Sequence, residues 1–376
     1  MDKGIDSAVK VKWYSTIFLL VGTVLAVADP VTDILTLREF YINDHKTWFG
    51  VGLVFVILPS LVISCLYYFR SSLAEQVTNN NPQTPTDLVT DIVFGWNPLA
   101  LAVMRFKAFI LCFRNFNKLW QGKLEDECNE KIEGIMKQET LCGIFEAILE
   151  SAPQFIIQLH ATIAQQEQVS AIQTVSLCVS FISLAWTSAS ADVWRFLTAS
   201  GSSAPSKFKA KVVFFISQLF HLSSRLFAIT FFTAGFAWWI IAVLVLHNII
   251  MAFVRVWVDI TTPRPGGCCD CDCSCCENCC LMPVACLVYW MRDDGAFGIT
   301  ASEFEESLIK IMLASNILFM IENVIMICVF YAKEEPHAWY SVPVTICVCV
   351  FSLVGFLVRM ALCRRLLYWK AMTSIF

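Results

Sequence analysis

Long apolar runs, each closed by a short polar or basic stretch, divide the chain into segments of membrane-crossing length. Eight of them fall at about 13–37, 48–69, 140–162, 169–197, 212–233, 235–257, 309–331 and 342–362. Roughly 20 predominantly apolar residues suffice to cross the hydrocarbon core, and lipid offers the backbone no partners, so each run predicts a helix. Two further apolar stretches break the pattern. The one at about 92–113 is interrupted by Gly95, Asn97 and Pro98 and carries Arg105 and Lys107, whereas the one at about 281–290 is too short to span. The first predicts re-entrant half-helices whose turn is buried in protein, and the second a further re-entrant or interfacial piece. The expected fold is therefore an all-α integral membrane protein: about eight transmembrane helices plus two short re-entrant helical segments, in a single polytopic membrane domain over 1–376.

Composition agrees with the pattern. Hydrophobic residues make up 57% and charged residues 15%, with a mean hydropathy of +0.64, against about 25% charged in a soluble domain. The basic residues set orientation. Lys3, Lys10 and Lys12 precede the first span, Arg195 ends and Lys207, Lys209 and Lys211 follow the fourth, and Arg359, Arg364, Arg365 and Lys370 accompany the last. The positive-inside bias then places both termini in the cytosol. A second reading of the first run is a cleavable signal peptide, with Ala26-Val27-Ala28 as its small-residue site. Resumption of the apolar pattern after Pro30 favours the uncleaved span. Asp29 and Asp33 then face the bundle interior, or alternatively lie solvated at the outer surface.

The third run, Thr140 to Thr162, is chemically the most unusual. Glu146, Glu150, Gln154 and Gln158 recur every four residues, so on a helix they form one slowly drifting stripe. At ~1.5 Å per residue the stripe extends roughly 18 Å, more than half the ~30 Å core. Pro153 frees a carbonyl one turn back, and Gly143, Ala147 and Ser151 offer a strip for close helix approach. Elsewhere Asp192 sits near the inner end of its span and Asn316, Glu322 and Asn323 lie within another. Gln218, His221 and Arg225 share a helical face. An arginine at that depth requires a carboxylate, and the acids of the stripe are candidates.

The predicted cytosolic loop 266–280 holds eight cysteines: Cys268, Cys269, Cys271, Cys273, Cys275, Cys276, Cys279 and Cys280. Palmitoylation, which would pin the loop to the inner leaflet, is one reading. A metal site drawn from Cys273/Cys276 or Cys276/Cys279 is another, but no second ligand pair or histidine lies nearby. A reduced loop without a role is the third. No metal and no cofactor are expected.

The helix FEAILESAPQFIIQLH (145–160) resembles the signature helix of the XK-related membrane proteins, in which a glutamate-rich stretch runs into Pro-Gln and a closing Gln-Leu. Asp29-Pro-Val-Thr-Asp33 is similar to that family's paired aspartates on the first span, and Ser183-Leu184-Ala185-Trp186 to its Ser-x-Trp element. The resemblance implies a plasma-membrane phospholipid scramblase, or a relative sharing the fold. Several members expose phosphatidylserine in apoptosis after a caspase removes an inhibitory tail. This chain departs from that pattern: it contains no Asp-x-x-Asp, and about a dozen residues follow its last apolar run.

One mechanism follows from the polar positions. A zwitterionic headgroup crossing bare hydrocarbon loses the hydration of its charges. A track formed by Asp29, Asp33, Glu146, Glu150, Gln154, Gln158, Asp192, Arg225 and Glu322 would lower that barrier while the tails remain in lipid. The same residues could instead form structural ion pairs. No Gly-rich phosphate loop occurs, so movement would run down gradients without ATP. Membrane phospholipids are the expected partners, together with an accessory single-span subunit or a cytosolic lipid-transfer protein; no nucleic acid is expected. The rival functions are a secondary solute transporter, which predicts an internal repeat that the sequence does not display, and a non-transporting partner docking a cytosolic protein through 114–139 or the cysteine loop. Enzyme chemistry is not expected, because His45, His160, His221, His247 and His337 are dispersed.

Overall fold

A computed structural model describes residues 11–77, 100–165, 170–200, 207–261, 305–333 and 340–373. The cysteine-rich loop 266–280, the short segment 281–290, residues 92–99 and the lysines at positions 3 and 10 lie outside the described residues. Among those described there is no strand, and the architecture is all-helical. In chain order the helices are α1 (Tyr14–Ile42), α2 (Lys46–Val77), α3 (Ala100–Arg114), α4 (Phe116–Trp120) and α5 (Asp126–Glu146). A π-helical turn (Ala147–Ser151) leads into α6 (Ala152–Gln165), followed by α7 (Ala171–Ser200), α8 (Lys207–Phe236), α9 (Trp239–Thr261), α10 (Glu305–Lys333) and α11 (Ser341–Thr373).

Five described helical stretches are long and apolar enough to cross a membrane: Tyr14–Ile42, Ala171–Val193, Lys211–Phe236, Lys310–Lys333 and Ser341–Leu362. The runs at 48–69 and 235–257 are represented by shorter apolar helices, Lys46–Pro59 and Trp239–Val254, and the run 140–162 is not among the five either. Two acids sit in its first half, and its helix is interrupted by the wide turn. α3 has 15 residues and therefore rises ~22 Å, less than the hydrocarbon thickness.

The chain divides into two compact units, Met1–Ala191 and Asp192–Phe376. In the first, α1 packs on α2 and α3, α3 on α5, and α2 on α6. α1 shows how the burial pattern works. Its aliphatic side chains Ile17, Leu20, Val24, Val27, Val31 and Ile34 are exposed, while Ala26, Asp29, Asp33, Thr36 and Phe40 are buried. The polar face is turned to protein and the apolar face outward, as lipid as a solvent demands. Asp44, at φ 61°, turns the chain from α1 into α2, a left-handed conformation that Asp adopts more readily than most residues. Gly122, at φ 68°, does the same after α4, where the amide of Lys123 donates to the carbonyl of Lys118 at 2.8 Å.

In the second unit α8, α10 and α11 pack mutually, and α9 lies against α8 and α10. Gly355 of α11 meets the backbone of α8: a Cβ there would stand 3.2 Å from the amide nitrogen of His221. The connection from α8 to α9 is only Ala237 and Trp238, with Ala237 at φ 45°.

Candidate functional site

Pro153 shapes the first half of the site. Its ring nitrogen has no proton to give the carbonyl four residues back. The chain answers with the π turn, in which the amide of Ala152 bonds the carbonyl of Ala147, five residues earlier. The wide turn resets the azimuth of everything that follows, so Glu146, Glu150, Gln154 and Gln158 do not continue a simple α-helical stripe. All four are nonetheless buried, at 9, 3, 0 and 2% exposure.

Their partners come from three helices. Gln154 Nε2 donates to the backbone carbonyl of Gly52 on α2 at 2.6 Å. Gln158 Nε2 donates at 3.0 Å both to Asp33 Oδ1 on α1 and to Ser176 Oγ on α7. Ser176 in turn donates to Asp33 Oδ1 at 2.8 Å. Asp29 receives the hydroxyls of Ser151 and Ser180, each at 2.6 Å. Asp29 and Asp33 are 3% and 0% exposed, so the reading that leaves them solvated at the outer surface is corrected: Pro30 stays within α1, and the helix continues past them to Ile42. Among the described residues no hydrogen bond or ion pair joins Asp29, Asp33 or Glu150 to a basic side chain.

Arg105 of α3 is the nearby cation, and its hydrogen bonds lead elsewhere. It forms an ion pair with Glu139 of α5 and donates to the carbonyl of Gly22 at 3.0 Å and to Thr187 Oγ1 at 3.2 Å. This knot locks α1, α3, α5 and α7 together. Gly143, from the predicted close-approach strip, lies beside it: a Cβ there would meet Thr187 Cγ2 at 3.0 Å and Arg105 Nη2 at 3.2 Å.

In the second unit the predicted partner of Arg225 is corrected. Its guanidinium pairs with Glu322 of α10 at 2.9 Å, not with the acids of the 140–162 run, because α8 packs on α10. Glu322 also receives His247 Nδ1 at 2.9 Å. Arg225 further donates to Asn323 Oδ1 at 3.2 Å and lies over the Phe319 ring at 4.7 Å. Asp192 accepts from Gln218 at 2.5 Å and stands 3.7 Å from Arg359, which donates to Asn316 at 3.2 Å. Six of the nine polar positions sort into two groups. Arg225, Glu322 and Asp192 have partners of opposite charge, while Asp29, Asp33 and Glu150 are held by hydroxyls and carboxamides or stand unbonded.

Sequence reasoning missed Ser176 and Ser180, whose four-residue spacing places both on the face that meets α1. It also missed Glu139, along with the role of His247. His247 is a lone imidazole in an apolar run, and the sequence carried no sign that Glu322 would lie opposite.

A helical membrane protein with two separately clustered sets of buried ionisable side chains is the class that this geometry defines. The family described as XK-related protein matches residues 17–367, and the chain belongs to that family. Among relatives, XK-related protein 9 from Tetraodon nigroviridis is 24% identical over 184 residues, covering 47% of each chain. XK-related protein 8 from Gasterosteus aculeatus is 25% identical over 181 residues, covering 47% of this chain and 44% of that protein. A second XK-related protein 8, from Tetraodon nigroviridis, is 23% identical over 268 residues, or 68% of this chain and 63% of that one. The chain thus matches about half the length of the first two.

Proposed function

We propose that this protein is an ATP-independent phospholipid scramblase of the plasma membrane, with eight spans and cytosolic termini, which passes headgroups along buried polar side chains while the tails stay in lipid. The observation that carries the reading is Asp29, Asp33 and Glu150: three carboxyls at membrane depth without an opposite charge bonded to them. A fold that only needed holding together would be expected to pair them, as it pairs Arg225 with Glu322. In the described arrangement the carboxyls are covered, so lipid passage requires the helices around them to part. No bond is made or broken, and gradients supply the direction.

Purified protein reconstituted into vesicles with acyl-chain-labelled lipids tests this. Labelled lipid should equilibrate between leaflets faster than in protein-free vesicles, and Glu150→Ala should slow it. Equal rates for the two proteins would remove Glu150 from the track. No transport under any trigger, calcium and caspase included, would leave the docking role as the better reading.

A further inference from the structure

The edge of the first unit where α1 begins carries large aromatic side chains that its helices leave uncovered. Trp13, just before α1, has its ring 5.0 Å from that of Trp120 at the end of α4, and Phe116 stands 6.2 Å from Trp120. Trp120 is 63% exposed, and Phe113 near the end of α3 is 64% exposed. α4 cannot roll to hide its indole. Leu119 is packed in one cluster with Val11, Cys112 and Ile132, and the amide of Val11 donates to Asn129 Oδ1 of α5 at 2.8 Å.

Cations surround these rings. Lys12 precedes Trp13, Arg114 closes α3 just before α4, and the left-handed turn at Gly122 brings the amide of Lys123 back to the Lys118 carbonyl at 2.8 Å. All three side chains are exposed, and among the described residues none of them forms an ion pair. The neighbouring acids have other roles. Glu125 takes Lys118 at 2.6 Å, while Asp126 and Glu127 occupy the first turn of α5, where the N–H groups of a helix start favour negative charge.

α1 is apolar and of membrane-crossing length, so Trp13 stands at a membrane surface, and the ring contact holds Trp120 at the same level. The uncovered aromatics also continue into faces that lipid must cover. Ile17 and Leu20, both exposed, lead on from Trp13 along α1, and the contacts Phe106–Phe109 and Phe109–Phe113 run up to the same edge along α3. That continuity favours the bilayer over a docked protein as the partner. An indole settles at headgroup level with its apolar body toward the chains, and basic side chains beside it reach the phosphates.

We infer that this ledge binds an anionic phospholipid of the cytosolic leaflet, with Trp13, Phe116 and Trp120 against its upper chains and Lys12, Arg114 and Lys123 on its headgroup. The choice of leaflet rests on the proposed cytosolic N-terminus; the chemistry of the ledge does not. Because the ledge joins the start of α1 to α4, a lipid bound there stabilises the folded first unit by mass action.

Dioctanoyl phosphatidylserine titrated into the full-length protein in neutral detergent should raise its melting temperature, at concentrations where dioctanoyl phosphatidylcholine does not. Each juxtamembrane cation contributes about fivefold on an anionic surface, so Lys12→Gln with Arg114→Gln and Lys123→Gln should raise the phosphatidylserine concentration needed by about a hundredfold. The three positions are exposed, so without lipid the triple variant should melt with the parent. Equal protection by the two lipids, or phosphatidylserine protection that survives the triple substitution, overturns the site. Equal protection by glycerophosphoserine, which has the headgroup without the chains, overturns the membrane as the partner and leaves an adventitious anion. Labelling of Lys123→Cys by an impermeant maleimide outside intact cells, above the parent's own labelling, overturns the leaflet and with it the cytosolic N-terminus. None of these readouts requires transport, so a protein that moves no lipid would sink the scramblase reading and not this site.

Discussion

Removing Glu322 should destabilise the second unit far more than removing the whole ion pair. Arg225 is 0% exposed, and its counter-charge lies 2.9 Å away on Glu322 Oε2. Glu322→Ala takes the bonded counter-charge from that guanidinium, which otherwise donates to Asn323 and lies over the face of Phe319, and breaking a buried pair from one side costs about 3–5 kcal/mol. The bond from His247 is lost as well, which adds ~1 kcal/mol. Arg225→Met with Glu322→Leu removes both charges and fills the space with apolar atoms, a change that is close to neutral in buried pairs of this kind. The apparent melting temperature in detergent, followed by tryptophan fluorescence, should therefore rank parent and double variant together, with Glu322→Ala well below them. If Glu322→Ala melts with the parent, or the double variant is no more stable than either single one, the pair does not hold α8 to α10.

Arg105→Met should destabilise the first unit by several kcal/mol, because Glu139 would remain buried and unpaired while Gly22 and Thr187 each lose a donor; Arg105→Met with Glu139→Leu should recover most of the loss in melting temperature. Gly355→Leu should force α11 off α8, since a Cβ already stands 3.2 Å from the backbone of His221, and a large drop in yield of folded protein on size exclusion would register it. Gly52→Ala is milder: its Cβ would collide with Leu37 Cδ2, the movable end of a side chain, so about 1–3 kcal/mol from overpacking is expected. The exposed pair Lys118–Glu125, at 2.6 Å, holds the Glu125 carboxyl below and the Lys118 ammonium above their ordinary values through their mutual hydrogen bond and charge. Its contribution is thus present at neutral pH, fades as acid protonates Glu125 below the usual carboxylate range, and fades again as base deprotonates Lys118 above the usual lysine range. A titration of Glu125 by NMR should return to the ordinary carboxylate value in high salt.

The helical architecture was legible because in lipid the apolar run and the helix are one requirement: a backbone without water must bond itself. The positions of Asp29, Asp33, Glu146 and Glu150 were visible for the same reason, since an acid inside such a run is costly and calls for a partner or a function. The family was readable from the 145–160 helix together with Asp29 and Asp33. The wide turn before Pro153 was not foreseen, although the proline that provokes it was in plain view. Partner choice was invisible too. Arg225 could be matched to any buried carboxylate in the chain, and only the packing of α8 on α10 assigned it Glu322 and left Asp29, Asp33 and Glu150 without a basic side chain bonded to them.

The amino-acid order by itself thus determined which segments are helical, which of their side chains are costly to bury, and the family they belong to, because those depend on local composition and spacing. Tertiary structure alone decided which costly side chains are neutralised and which are left short of a partner. That depends on helix packing across 97 residues of chain between Arg225 and Glu322, and across 125 between Asp33 and Gln158, distances over which no periodicity in the sequence carries information.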